Sequence, residues 1–242
     1  MDLAFLKVSP FAHRGLHNLQ AQIPENSVIA FHKAIEKGYA IELDVHLLAD
    51  GEIVVFHDDD LKRLCGEDIA VRSLKSTELL KYKLGNSTHK IPLLKEVLNL
   101  VEGKVPLLIE IKNTAKPAEI GPPLVNLLDN YKGAFAIQAF NPFHVLWFKR
   151  NRPSYIRGQL SGGFGGEKIH WLIKWLLKGL RLNFLTKTHF ISYEHTALAN
   201  PRILRFKSNG IGVLAWTIKS EAECLAIKTF CDNIIFEGFY PE

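Results

Sequence analysis

The chain is poor in cysteine, has no long apolar run and lacks a glycine-rich phosphate loop, and each shortage removes a class of protein. Cys65, Cys224 and Cys231 are unpatterned and lack the paired spacings of zinc sites. That argues against a disulfide scaffold and for a reducing, cytoplasmic setting. No stretch reaches the length of a membrane-spanning helix. Met1–Pro10 carries one cation, Lys7, with a short apolar mix and no cleavage-like pattern, so no targeting segment is expected. The first strand candidate runs into His13-Arg14-Gly15, which is not the GxGxxG of a dinucleotide-binding open sheet. Charges are dispersed, no basic tract is long and no internal repeat is visible, so nucleic acid is not an expected partner.

What is present suits one large core. At 242 residues and 47% hydrophobic content, the chain is short for two ordinary domains. A single catalytic domain over 1–242 is expected, with an irregular insertion at 58–92. Lys+Arg 30 against Asp+Glu 25 gives +5, and a pI near 9.0. That balance favours anionic substrates or an anionic membrane surface.

The most informative stretch is Tyr39–Asp60, YAIELDVHLLADGEIVVFHDDD. Asp50-Gly51 predicts a two-residue type I′ hairpin turn. Counting outward pairs Ala49 with Glu52, His46 with Val55 and Asp44 with His57. Residues two apart on a strand share a face, so Glu42, Asp44 and His57 gather on one side. Two carboxylates and an imidazole at a strand end are costly unless something charged sits between them. His46 falls further out on the same face and reads as a solvated hairpin residue.

Strands and helices alternate along the chain. A strand is predicted at Val8–Ala12. Pro24-Glu25-Asn26-Ser27 then opens a helix that Gly38 closes, with Asn26 read as its cap. After the hairpin comes a polar excursion from Leu61 to Ile91, with a short helix near Ser76–Lys81. A helix follows from Pro92 to Val101, and Val105–Ile111 is apolar enough to be buried on both faces. Further strands are expected at Phe135–Phe140, Tyr155–Leu160, Phe190–Glu194, Gly212–Thr217 and Asn233–Glu237. Helices at Pro117–Tyr131, Pro142–Arg150, 167–182, 200–208 and 220–229 separate them. This rhythm predicts an α/β fold, a parallel sheet closed into a (β/α)8 barrel. The strand candidates exceed eight by one. A two-residue turn cannot make a parallel crossover, so Ile53–Phe56 is the extra strand, an antiparallel hairpin arm.

The strand ends assemble a specific inventory. His13 and Arg14 follow the first strand, Glu42 and Asp44 lie on the second, His57 follows the hairpin, and Glu110 and Lys112 share a face of the next strand. Three carboxylates suit a hard divalent cation, Mg2+ or Ca2+. Two histidines suit general acid and base, and Arg14 and Lys112 suit an anion. The chemistry these parts fit is metal-assisted cleavage of a phosphate ester.

At these residues the sequence resembles the glycerophosphodiester phosphodiesterase family. The resemblance rests on FAHRG (Phe11–Gly15), PENS (Pro24–Ser27), IELDVHLLADGEIVVFHDDDLKRLCG (Ile41–Gly66), IPLLKEVL (Ile91–Leu98) and LIEIK (Leu108–Lys112). Beyond Lys112 it thins to QAFNP (Gln138–Pro142), Ala215-Trp216-Thr217 and NIIFEGFYP (Asn233–Pro241). Ala139 stands where the family has serine, and Phe236-Glu237 where it has Thr-Asp, departures that bear on substrate choice. The resemblance implies a distorted triosephosphate-isomerase-type barrel hydrolysing glycerophosphodiesters to glycerol phosphate and an alcohol. It implies metal ligation by Glu42, Asp44 and Glu110, acid/base roles for His13 and His57, and phosphate contacts from Arg14 and Lys112. Glu25 matches an acidic position that orients Arg14 or completes the metal shell. One histidine would take a proton from the attacking glycerol 2-hydroxyl, or from water, while the other protonates the leaving alcohol. Phe140 and Trp216 are candidates for the pocket wall.

Three functions compete. One is a phosphodiesterase for soluble glycerophosphodiesters, and another a lysophospholipase D-like enzyme acting on lysolipid at a membrane. The third is a catalytically dead binding barrel, although no carboxylate or histidine of the set is missing. The segment 167–187 bears on the choice. Ile169, Leu172, Ile173, Leu176 and Leu180 form an apolar stripe widened by Trp171 and Trp175, beside a basic stripe of His170, Lys174, Lys178 and Arg181. The pattern fits an outer barrel helix that buries its apolar face. It also fits an interfacial helix making peripheral membrane contact, lifted by Gly162, Gly163, Gly165 and Gly166.

Overall fold

The computed structural model of the chain describes residues 3–164 and 170–241. Gly165, Gly166 and the opening of the 167–182 helix expectation lie outside the described residues. In chain order the elements are α1 (Phe5–Val8), β1 (Phe11–Ala12), α2 (Val28–Glu36), β2 (Ala40–Leu47), β3 (Ile53–Val55), α3 (Lys62–Cys65), α4 (Leu94–Val101), β4 (Leu107–Ile111), α5 (Pro117–Leu128) and β5 (Phe135–Ala139). Then follow α6 (Pro142–Asn151), β6 (Arg157–Ser161), α7 (Trp171–Lys178), α8 (Asn183–Thr186), β7 (Phe190–Glu194), α9 (Pro201–Ser208), β8 (Gly212–Ile218), α10 (Glu221–Ile227) and β9 (Asn233–Phe236). The strand order is β1-β9-β8-β7-β6-β5-β4-β2-β3, and β1 also pairs with β2. Eight parallel strands therefore close into a (β/α)8 barrel, with β3 antiparallel on β2 as the extra arm.

The chain divides into two compact units, Phe11–Phe135 and a second made of 1–10 with Ala136–Glu242. In the first unit every residue of β2 and β4 is buried, as expected of strands covered on both faces. α2 begins because the Ser27 hydroxyl accepts from the Ala30 amide at 3.2 Å, and it buries Ala30, Phe31 and Ala34. Ser27, not Asn26, is thus the cap. β1 is shorter than predicted, because Phe5–Val8 turns as a helix and Val8 is exposed. The stretch from Leu61 to Ile91 is irregular as expected, with a 3-10 helix at Ser76–Lys81. It nevertheless has a core of its own, in which Leu61, Leu64, Val71 and Leu84 pack on Leu48, Val54 and Phe56 of the hairpin.

The hairpin departs from its prediction by one residue. Leu47 pairs with Ile53, His46 with Val54 and Val45 with Val55. The Gly51 amide donates to the Leu48 carbonyl at 3.1 Å, and the Leu48 amide to the Glu52 carbonyl at 2.9 Å. Gly51 has φ +86°, while Asp50 is not among the positive-φ residues. A type I′ turn needs positive φ at both central residues, so Asp50 excludes it. The loop is instead Ala49-Asp50-Gly51, a type I turn closed by a left-handed glycine bulge. Asp50 is held there by the Ser76 amide and hydroxyl, both at 2.8 Å.

In the second unit β6 to β9 pair in parallel order. Asn-Pro starts α6 and α9: Asn141 Oδ1 accepts from the Phe143 amide and Asn200 Oδ1 from the Arg202 amide, each at 2.9 Å. Proline at the first helical position forfeits no internal hydrogen bond.

Candidate active site

The site begins in a turn. After β1 the Gly15 amide returns to the Ala12 carbonyl at 3.1 Å, leaving His13 and Arg14 at its corners. Gly15 has φ +78°, and a Cβ there would lie 2.9 Å from both the Ala30 carbonyl carbon and Phe31 Cδ1, so α2 packs on the turn only because this residue is glycine. Arg14 itself is left-handed at φ 55°, a conformation costly for an arginine. Two contacts hold it there. Its amide donates to Glu42 Oε2 at 3.0 Å, and its carbonyl accepts from the Asn26 amide at 2.9 Å. Its guanidinium donates to Glu25 Oε1 at 2.7 Å and sits 3.5 Å from Asp44 Oδ2.

β2 and β4 supply the acids. Asp44 is directly opposite Glu110 in the parallel register, and Glu42 is two residues before Asp44 on the same strand. Oxygens from Glu42, Asp44 and Glu110 all lie within 4.8 Å of one another, and all three residues are buried. Burial first, then Asp44 and Glu110, pushes the Glu42 carboxyl well above its ordinary range. Burial likewise raises Glu110, against the pull of Lys112. Burial alone would raise Asp44 too, but Lys112, His57 and Arg14 outweigh it and hold the group low. The Lys112 ammonium donates to Glu110 Oε1 at 2.9 Å and lies 3.4 Å from Asp44 Oδ1. A cluster of hard oxygen donors, mutually repelling and kept from water, fits a small divalent cation.

His57 reaches this cluster by leaving the sheet. β3 ends at Val55, but the Phe56 amide still donates to the Asp44 carbonyl at 3.1 Å, so Phe56, not His57 as predicted, stands opposite Asp44, and His57 lies just past the pairing. Its Nδ1 is 2.7 Å from Asp58 Oδ1. Asp58 is fixed in turn by Arg63, whose Nε donates to Asp58 Oδ2 at 2.6 Å while its terminal nitrogens donate to Glu25 at 2.7 and 3.0 Å. Arg63 and Arg14 thus share the Glu25 carboxylate, which their hydrogen bonds and charge hold below its usual range against burial. His13 is half-buried at the end of β1. Among the predicted site residues, Arg14, Glu25, Glu42, Asp44, Glu110 and Lys112 form one hydrogen-bonded and ion-paired group, and His57 carries charge interaction with Asp44 and Glu110. Phe140 and Trp216 lie in the second unit, half-buried and packed edge to face at 5.8 Å between ring centres. Glu237 pairs with Lys219 at 2.8 Å.

Two sequence readings are corrected here. His46 is fully buried, not solvated: Nδ1 meets the Thr114 hydroxyl at 2.8 Å and Nε2 the His57 carbonyl at 3.2 Å. Desolvation lowers its pKa to about 4, so the ring is neutral near pH 7. It braces the backbone of His57. Asn26 is not a helix cap; its side-chain amide donates to Asp44 Oδ2 at 2.8 Å, turned inward by a left-handed φ of 53°. Asp58 and Arg63 are outside the predicted set, although both lie in the HDDDLKR run (His57–Arg63) after the hairpin.

Buried acids beside a carboxylate-held histidine and two cations suit hydrolysis of a phosphoric diester. The sequence profile of the Glycerophosphoryl diester phosphodiesterase family matches residues 13–237, and the chain belongs to that family. YhdW of Bacillus subtilis (strain 168), named as an inferred glycerophosphodiester phosphodiesterase, is 27% identical over 241 residues, 96% of this chain and 94% of its own. Human lysophospholipase D GDPD1 is 40% identical over 86 residues, which are 30% of this chain and 27% of that protein. A phosphodiesterase from Oleispira antarctica, solved with its product sn-glycerol-3-phosphate, shares the fold at a TM-score of 0.81 and 24% identity, over 96% of this chain and 93% of that one.

Proposed function

We propose that the chain acts as one catalytic domain that hydrolyses glycerophosphodiesters to glycerol phosphate and an alcohol, with a divalent cation, Mg2+ or Ca2+, held by Glu42, Asp44 and Glu110. The observation that carries this reading is the approach of three buried carboxylates within 4.8 Å, two of them with raised pKa. When bound, such a cation supplies charge neutralisation at the phosphoryl oxygens and acidifies a hydroxyl near it. The protein's own groups do the rest. Arg14 and Lys112 bind the phosphate, and Glu25 with Arg63 fixes the direction of Arg14. With Nδ1 committed to Asp58, His57 presents Nε2 for proton transfer. His57 and His13 form the acid/base pair, one taking the proton of the attacking hydroxyl and the other protonating the departing alcohol. The same two groups serve attack by the glycerol 2-hydroxyl or by water.

A second reading takes lysolipid as the substrate, and the exposure of apolar side chains on α7 favours it. Glycerophosphocholine, glycerophosphoethanolamine and lysophosphatidylcholine, assayed side by side with Mg2+, with Ca2+ and after chelation, decide between them. Glycerol phosphate released from the first two, and lost on chelation, is the expected result. Choline released only from lysophosphatidylcholine would replace it with the second reading. Undiminished turnover in metal-free protein would overturn the metal assignment.

A further inference from the structure

Outer helices of a barrel bury their apolar stripe against the sheet. α7 does not: none of its eight residues is buried. Trp171 is 71% exposed, and Leu172, Ile173 and Trp175 are exposed with it. α8 continues the ridge with Phe184, 70% exposed, and Leu185. The segment is not simply loose. The Ser161 hydroxyl donates to the Leu177 carbonyl at 2.8 Å, the Tyr193 hydroxyl donates to the Lys178 carbonyl at 2.9 Å, and Leu180 is buried just beyond. The helix is therefore held to β6 and β7 through its backbone, with its tryptophans outward.

Charge falls on the same side of the ledger. From residue 130 to 193 the sequence has ten Lys and Arg and a single acid, Glu167, whereas the rest of the chain has 20 Lys and Arg against 24 Asp and Glu. The charges that looked dispersed are segregated. Lys174, Lys178 and Lys187 border the ridge, and the Arg181 guanidinium lies 3.5 Å over the Trp175 ring. No Asp or Glu occurs between 170 and 193. A second copy packing face to face on this ridge would oppose those cations with their own equivalents, leaving them unneutralised. No helix among the described residues is long and apolar enough to cross a membrane, so the ridge can enter only the interfacial layer.

We propose that α7 and α8 form a docking surface for an anionic lipid bilayer, with Trp171, Trp175 and Phe184 entering the headgroup boundary and Lys174, Lys178 and Lys187 facing anionic headgroups. Indole rings prefer that boundary, and each cation near an anionic surface strengthens binding about fivefold. The surface stands on the exposed helix and does not depend on the phosphodiesterase chemistry. The lysolipid reading draws on it, and the two are separable by experiment.

The test is co-sedimentation of the full chain with vesicles of phosphatidylcholine alone or with ~30 mol% phosphatidylglycerol, at about 50 and about 500 mM salt. Binding to the anionic vesicles at low salt, weakened by high salt, is expected. Lys174→Glu with Lys178→Glu, and separately Trp171→Ser with Trp175→Ser, should each reduce it at least tenfold, while circular dichroism and glycerophosphocholine turnover stay unchanged. Absence of binding at low salt, equal binding to neutral vesicles, or unaltered binding by both variants would overturn the proposal. So would a dimer in light scattering that the tryptophan pair abolishes, found without vesicle binding. Vesicle binding without lysolipid turnover would keep the docking surface and remove the lysolipid reading.

Discussion

A buried histidine without a partner makes folding sensitive to acid, and His144 of α6 is such a residue. It is fully buried, neither ring nitrogen has a hydrogen-bond partner, and desolvation lowers its pKa from 6.5 to about 4. Between those values the unfolded chain binds the proton that the folded chain refuses, so stability is lost as pH falls through the window. The loss from this residue is on the order of 2–3 kcal/mol. His144→Leu should flatten the slope of unfolding free energy between pH 4.5 and 6.5, measured by urea titration; an unchanged slope would acquit the residue. The proposed acid/base pair calls for another test. His13→Ala and His57→Ala should each lower turnover by about 10²–10⁴. If they serve one step, the double variant should lose much less than the product of the two. Fully multiplying losses would separate them. Glu42, Asp44, Glu110 and Lys112 were legible because a period of two fixes which strand residues share a face. Asn26 and His46 were misread for a physical reason: a left-handed backbone turns the first inward, and the second is buried where Thr114, distant in sequence, meets its ring. Neither event leaves a local pattern.

Elements were legible where periodicity was strong and uncertain where turn geometry decided. The eight parallel strands and the antiparallel arm follow from alternation and from the shortness of the hairpin loop. The register slipped by one because Asp-Gly fits both the two-residue turn and the three-residue loop with a glycine bulge, and only the second keeps Asp50 at negative φ. Two glycines separate local strain from site geometry. At Gly51, φ is +86° and a Cβ would meet nothing within 4 Å, so Gly51→Ala should cost about 1 kcal/mol of stability and leave turnover intact. At Gly15 the added carbon would collide with the start of α2, so the turn bearing His13 and Arg14 must shift. Gly15→Ala should therefore lose both stability and most of its turnover. Thermal melts paired with steady-state rates check both, and a fully active Gly15→Ala would deny the turn its positioning role. α7 shows the opposite limit. Its hydrophobic pattern identified a helix, yet amphipathicity alone cannot say which face meets the barrel and which meets a lipid.

For the molecule as a whole, a cation in the proposed acid-cluster site would link metal, protons and stability. In metal-free protein, burial and mutual repulsion raise Glu42 and Glu110, so the folded state holds protons there that the unfolded chain has released above pH 4.5. Stability from these two groups is present at low pH and declines as pH rises through their raised folded values. A cation bound by the same carboxylates requires them ionised, so loading releases protons, tightens with pH and removes that decline. The melting temperature of metal-loaded protein should exceed that of chelated protein, by a gap that widens with pH above 5. Comparing the two forms at each pH cancels His144, whose contribution is common to both. Asp44→Asn and Glu110→Gln should shrink the gap together with turnover, because each removes one anionic donor. Calorimetric titration with Mg2+ or Ca2+ in two buffers of different ionisation enthalpy should register proton release. A melting temperature indifferent to both ions at every pH, with no proton release, would show that the three carboxylates hold no metal.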